Sequence, residues 1–186
     1  MRLVIVPRWG GDASSDFYPW LRERVADEVD AVITSTLLPT PSLPEIEPSV
    51  ADLLARLGDA GSDVLMMGHS VGNQVVMRAL AERGGPPVVG CLLVAGWYAV
   101  DEPWNSLMPW VDTPIDDARV RAVAGEVRVL VSTNDRFTSN YGMTQRAFES
   151  RLGAAVRVVE GRDHFNGTKQ PEVLEELRVL LRSRAS

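Results

Sequence analysis

The sequence predicts an α/β domain: a doubly wound, six-stranded, mainly parallel sheet with helices on both faces. Three observations carry that prediction. Short apolar runs alternate with amphipathic stretches from end to end. The apolar runs are unbroken, as expected of strands buried on both faces rather than half-exposed. No repeat, linker or low-complexity tract interrupts the alternation, so the 186 residues read as one domain spanning 1–186.

Leu3-Val4-Ile5-Val6, closed by Pro7 and Gly10-Gly11, reads as the first strand. A helix is expected from Phe17 to about Val29, and a second strand over Ala31–Thr34. A proline-rich loop follows from Leu38 to Pro48. Val50, Leu53, Leu54 and Leu57 stand at i, i+3, i+4 and i+7, the stripe of an amphipathic helix that Gly58 stops. Val64–Met67 is the third strand, and Val71, Val75, Val76, Ala79 and Leu80 carry the next helical face. Val88–Ala95 is the fourth strand. The stretch Trp97–Pro114 has the densest aromatic content and neither period. A short helix near Asp116–Ala124, a strand over Val127–Ser132, a helix over Tyr141–Leu152 and a strand over Ala155–Val159 follow. Pro171 opens the last helix, in the first turn where proline is tolerated.

Composition narrows the function. Hydrophobic residues make up 45% and charged residues 24%, ordinary for a globular chain. The net charge is −6, and there is no basic block beyond Arg178, Arg182 and Arg184, which are expected to complement the carboxyl end of the last helix. Nucleic-acid binding, which needs a positive footprint, is not expected. The apolar run at the N-terminus is too short for a signal-peptide core or a membrane span, so no membrane association and a cytoplasmic location are expected. Cys91 lies in an apolar run and reads as a buried strand thiol. Lys169 is the sole lysine, a bias towards arginine that points to a GC-rich bacterial coding sequence.

Directly after the third strand stands Gly68-His69-Ser70-Val71-Gly72, a G-x-S-x-G pentapeptide. Gly, Ser and Gly at these offsets occur by chance in roughly one chain in twenty of this length, given about 7% abundance each. Its place between a strand and a helix makes it specific, because that is where a nucleophile elbow must sit. The turn is so sharp that flanking side chains would collide, and it presents the Ser70 hydroxyl at a helix N-terminus.

A serine hydroxyl needs a base. The sequence has two histidines. His69 adjoins Ser70, where consecutive side chains diverge, and is expected to pack and hydrogen-bond beneath the turn. His164, between the last strand and the last helix, is the base by elimination and position. The acid that orients it should precede it in the chain. Asp135, after the fifth strand, is the first choice, and Asp101, after the fourth, is its rival. Asp163 is too close along the chain to orient its neighbour. For the oxyanion hole the Val71 amide is expected to supply one donor, and the loop after the first strand the other, Trp9 ahead of Arg8. Trp97, Trp104 and Trp110 are expected to wall a substrate pocket.

Taken together, these residues resemble the small α/β-hydrolases related to retinoblastoma-binding protein nine. The likeness spans nearly the whole chain: Pro7 and Gly10-Gly11-Asp12, Trp20-Leu21, Gly-His-Ser-x-Gly at 68–72, Ser-x-Asn-Asp at 132–135, and His-Phe-Asn at 164–166. It implies six parallel strands in the order 2-1-3-4-5-6, with the oxyanion loop and the elbow flanking the switch point between strands 1 and 3. Two positions depart from the family pattern. Arg8 stands where glycine is common, which places a bulky side chain against the oxyanion loop and the substrate. Asp163 stands where glycine is commoner before the histidine. The expected activity is hydrolysis of a small-molecule ester or activated amide through an acyl-enzyme, with no metal or organic cofactor. A binding protein that retains the fold, and an acyltransferase using the same three residues, are the alternatives.

Overall fold

The computed structural model describes residues 1–58 and 61–183. Its strands are β1 (Arg2–Val6), β2 (Ala31–Thr34), β3 (Pro39–Thr40), β4 (Leu43–Pro44), β5 (Val64–His69), β6 (Gly90–Val94), β7 (Glu126–Ser132) and β8 (Ala155–Val159). Its helices are α1 (Tyr18–Val25), α2 (Ile46–Leu57), α3 (Val71–Glu82), α4 (Met108–Asp112), α5 (Asp117–Val123), α6 (Tyr141–Leu152) and α7 (Pro171–Ser183).

Six strands form one sheet in the order β2-β1-β5-β6-β7-β8, and every pairing is parallel. Without the small β3–β4 ribbon this is the order 2-1-3-4-5-6. The two-residue period of each strand sorts its side chains into two cores. Val4, Met66, Leu93 and Val129 pack with Val50, Leu53, Val75, Val76 and Phe148 on the face covered by α2, α3, α5 and α6. Leu3, Ile5, Leu65, Met67, Leu92 and Leu130 pack with Leu21, Val25, Val173 and Leu177 on the face covered by α1 and α7. No helix among the described residues is long and apolar enough to cross a membrane.

Several boundaries differ from the sequence reading. The first helix ends at Val25 rather than Val29. β6 starts at Gly90, because the Val88 and Val89 amides donate to Val123 and Val64 at the edge of the ladder, and it ends before Ala95, whose φ is 47°. The proline-rich loop contains the antiparallel β3–β4 ribbon, and α2 begins at Ile46 with Pro48 in its first turn. The tryptophan-bearing segment contains one short helix, α4.

Arg178 does not serve its own helix end: it pairs with Glu28, just past the end of α1, and donates to Arg24 O in the last turn of that helix. Arg182 lies in the last turn of α7, and Arg184 lies outside the described residues. Cys91 is buried, and burial pushes its thiol up to about 12.

Candidate active site

The pentapeptide forms a turn that only its glycines permit. Ser70 sits at φ 56°, ψ −120°, between β5 and α3, a conformation that costs a non-glycine residue about 1–3 kcal/mol. A Cβ on Gly68 would stand 2.6 Å from Asn73 Oδ1 and 2.8 Å from the Asn73 nitrogen. A Cβ on Gly72 would collide with the Val6 carbonyl oxygen and stand 2.7 Å from that of Pro7. The second glycine therefore lets α3 press against the end of β1, which brings the elbow beside the loop that follows that strand. The Ser70 amide donates to Val94 O at 2.9 Å, fixing the turn to the next strand.

His164 and Asp135 meet across 29 residues of sequence: His164 Nδ1 lies 2.7 Å from Asp135 Oδ2, and both groups are buried. A carboxylate only accepts, so Nδ1 carries the proton, and in the neutral imidazole the lone pair is on Nε2. The other carboxylate oxygen accepts from the Phe137 amide at 3.0 Å. Asp101, the rival acid, accepts from the Ser139 amide at 2.8 Å on an exposed loop, and the Ser139 hydrogen bonds hold its carboxyl below the usual range.

Asn134 joins the acid loop to the histidine loop. Its Oδ1 accepts from the Asp163 amide at 2.9 Å and its Nδ2 donates to Asp163 Oδ1 at 2.6 Å. Asp163 has φ 47° and Phe165 φ 56°, so left-handed residues flank His164 on both sides. This is the physical sense of the glycine common at position 163: the backbone there is one that glycine adopts freely. The aspartate is held in it by its two bonds to Asn134.

His69 is fully buried, and both its ring nitrogens are engaged. Its Nε2 faces the His164 carbonyl oxygen at 2.8 Å and its Nδ1 faces Tyr18 Oη at 2.7 Å. A carbonyl only accepts, so Nε2 carries the proton and the tyrosine hydroxyl donates to Nδ1. Burial holds the His69 pKa well below 6.5, with the neighbouring His164 acting in the same direction. Tyr18 Oη in turn accepts the Arg8 amide at 3.1 Å. One buried chain of hydrogen bonds thus runs from the loop after β1, through Tyr18 and His69, to the backbone of His164.

That chain separates the two candidate oxyanion donors. The Arg8 amide is engaged by Tyr18, whereas the amides of Trp9 and Val71 have no protein acceptor among the described residues. Trp9 is anchored through its indole, which donates to Ser42 O at 2.9 Å, and the Gly10 amide donates to Pro41 O at 2.7 Å. The β3–β4 ribbon therefore supports the loop. The Arg8 guanidinium forks onto Asp16 at 2.7 and 3.1 Å and donates to Trp9 O at 2.9 Å.

Ser70, Val71 and His164 open onto one cavity of about 190 Å³. Arg8, Trp9, Trp97 and Trp104 line it, as do Arg136, Phe137, Val100, Leu107 and Asn166. Trp110 does not. It is 2% exposed, belongs to the core under α3, and donates its indole N–H to Pro44 O at 3.2 Å. The helical turn of α4 places it in the core and not on the wall of this cavity, which corrects the expectation that it walls the pocket. The segment is held on α3 by Gln74, whose side-chain amide donates to Trp97 O at 2.6 Å. Buried Arg78 also donates to the carbonyls of Trp110, Thr113 and Pro114. Tyr18, Asn134, Arg136 and Phe137 were not singled out from the sequence. Only Asn134 carried a signal there, as part of the Ser-x-Asn-Asp motif.

A parallel sheet of this order, with a left-handed serine between a central strand and its helix, places the protein among the α/β-hydrolases. The chain belongs to the serine hydrolase family, whose model matches residues 3–183. Among solved structures it is similar to the ydeN gene product of B. subtilis, with TM-score 0.85 at 20% identity over 96% of this chain and 97% of that one. It is also similar to Est1E from Butyrivibrio proteoclasticus in its ferulic-acid-bound structure, with TM-score 0.73 at 13% identity over 100% and 90% of the two chains. A third similarity is to the RedJ thioesterase of the prodiginine pathway in Streptomyces coelicolor, with TM-score 0.67 at 20% identity over 97% and 90%. At these identities the likeness is one of fold. Among curated proteins no match is found.

Proposed function

We propose that this serine hydrolase cleaves small carboxylic esters, with Ser70 as nucleophile, His164 as general base and Asp135 as the group that orients it. The observation that carries the reading is the 2.7 Å pairing of His164 Nδ1 with Asp135, in a cavity that also receives Ser70. With Nδ1 protonated, Nε2 is free to take the Ser70 proton as Oγ attacks the carbonyl carbon. The Val71 and Trp9 amides then donate to the developing oxyanion. His164 returns the proton to the leaving alcohol, and the C–O bond breaks to leave an acyl-serine. A water deprotonated by the same imidazole attacks that acyl group, releasing the acid and restoring the serine.

The cavity's volume supports short acyl groups, since sites for drug-sized ligands run to about 300–1,000 Å³. Its walls, built largely from tryptophan, phenylalanine, valine and leucine, suit an apolar acyl chain.

The test is hydrolysis of para-nitrophenyl butyrate, together with covalent labelling by a fluorophosphonate. Ser70→Ala should lose labelling and about 10³-fold or more in kcat while melting at the parent temperature. Asp135→Asn should lose up to about 10⁴-fold in kcat through the wrong imidazole tautomer. More than a tenth of parental activity in purified Ser70→Ala would overturn the assignment.

A further inference from the structure

The charges around this cavity are one-sided. Its charged lining residues are Arg8 and Arg136, and no aspartate or glutamate among the described residues lines it. The chain as a whole is acidic, with 25 carboxylate residues against 19 basic ones. The two arginines differ in how their charge is balanced. Arg8 is neutralised by its fork onto Asp16. Arg136 is exposed and has no carboxylate or hydrogen-bond partner among the described residues; its guanidinium lies 4.7 Å from the centre of the Phe137 ring.

Lying over a ring leaves a guanidinium's edge N–H groups free, in the fork that matches a carboxylate or a phosphate. The Phe137 ring in turn packs edge-on against the His164 imidazole at 4.7 Å. Two ring contacts therefore separate the cation from the base, and an anion seated on Arg136 would lie a few bonds from a carbonyl at Ser70. A chain of net charge −6 repels anionic ligands at long range, so a local unpaired cation is what would admit one.

We infer that Arg136 binds an anionic group of the substrate, a carboxylate or phosphate a few bonds from the scissile carbonyl, so that the enzyme prefers acidic esters to neutral ones. The inference rests on the ester-hydrolase reading above. Arg136 is a specificity-determining residue in this account and takes no part in proton transfer.

The experiment reads a ratio of kcat/KM values, which cancels any general loss of activity. Para-nitrophenyl hydrogen adipate is compared with its neutral methyl ester, para-nitrophenyl methyl adipate. Para-acetoxybenzoate against its methyl ester, and para-acetoxyphenyl phosphate against its neutral dimethyl ester, ask whether the anion sits on the alcohol side and whether it is carboxylate or phosphate. At least one pair should favour the anion by about five- to tenfold, as a charge-assisted forked hydrogen bond allows at an exposed rim. Arg136→Gln should bring that ratio to about one, Arg136→Lys should restore part of it, and Arg136→Glu should invert it. High salt should shrink it in the parent. A ratio near one for all three pairs, or a preference that survives Arg136→Gln, would overturn the inference while Ser70-dependent turnover of the neutral esters left the hydrolase reading intact. No turnover of any ester and no labelling of Ser70 would overturn both.

Discussion

Replacing Tyr18 by phenylalanine removes one oxygen from the middle of the buried chain that links the loop after β1 to His164. The ring stays, so packing is preserved and the effect isolates the hydroxyl. Two groups lose their partner: the Arg8 amide, 3.1 Å from Oη, and His69 Nδ1, 2.7 Å from it. Tyr18 and His69 are both fully buried, which leaves no water to replace the bond to His69, while the Arg8 bond is half-buried. An orphaned buried donor or acceptor costs about 1–3 kcal/mol, so the pair should cost about 3 kcal/mol. For a domain of this size that is a melting temperature lowered by roughly 6–12 °C. Activity should fall as well, chiefly in kcat, because Tyr18 and His69 hold the loop that carries the Trp9 amide and the backbone of His164 without themselves lining the cavity. The assay is thermal unfolding beside steady-state hydrolysis of a para-nitrophenyl ester. A melting temperature within about 2 °C of the parent, with kcat unchanged, would refute the claim that these hydrogen bonds hold the site.

Two further outcomes are expected. Trp110→Ala should destabilise by about 3–5 kcal/mol through the cavity it leaves and should not alter acyl-chain preference, whereas Trp104→Ala, at a residue 39% exposed on the pocket wall, should do the reverse; an ester series from acetate to decanoate with parallel melts separates the two. Because burial lowers the His69 pKa in the folded state, the unfolded chain binds the extra proton below pH 6.5, so stability should be full above that pH and fall by up to about 1.4 kcal/mol per pH unit below it. Urea unfolding at pH 7.5 and pH 5.5 measures this, and His69→Gln, which has both a donor and an acceptor, should remove that part of the slope.

The elements were legible because each is dictated locally. Unbroken apolar runs such as Val64–Met67 can be buried on both faces only in a covered sheet, and the stripe through Val50, Leu53 and Leu57 needs a helix. The elbow was legible for the same reason: Gly68 and Gly72 are demanded by the turn itself, whatever surrounds it. His164 stood out because the sequence holds only one other histidine.

Other features lay beyond any local pattern. Asp135 and Asp101 both follow strands, and nothing in their spacing says which carboxylate meets the imidazole. The choice depends on β7 lying between β6 and β8, which sets Asp135 beside the histidine loop while Asp101 turns towards Ser139. Trp104 and Trp110 belong to one aromatic stretch, yet one turn of α4 sends Trp110 into the core and leaves Trp104 on the pocket wall. The Tyr18–His69–His164 chain joins residues from three separate parts of the sequence. Backbone propensity and hydrophobic period act over a few residues, and they determined which segments are strands, which are helices and where a strained serine could stand. Which side chains then face one another depends on strand order and helix docking, and only the tertiary structure decides those.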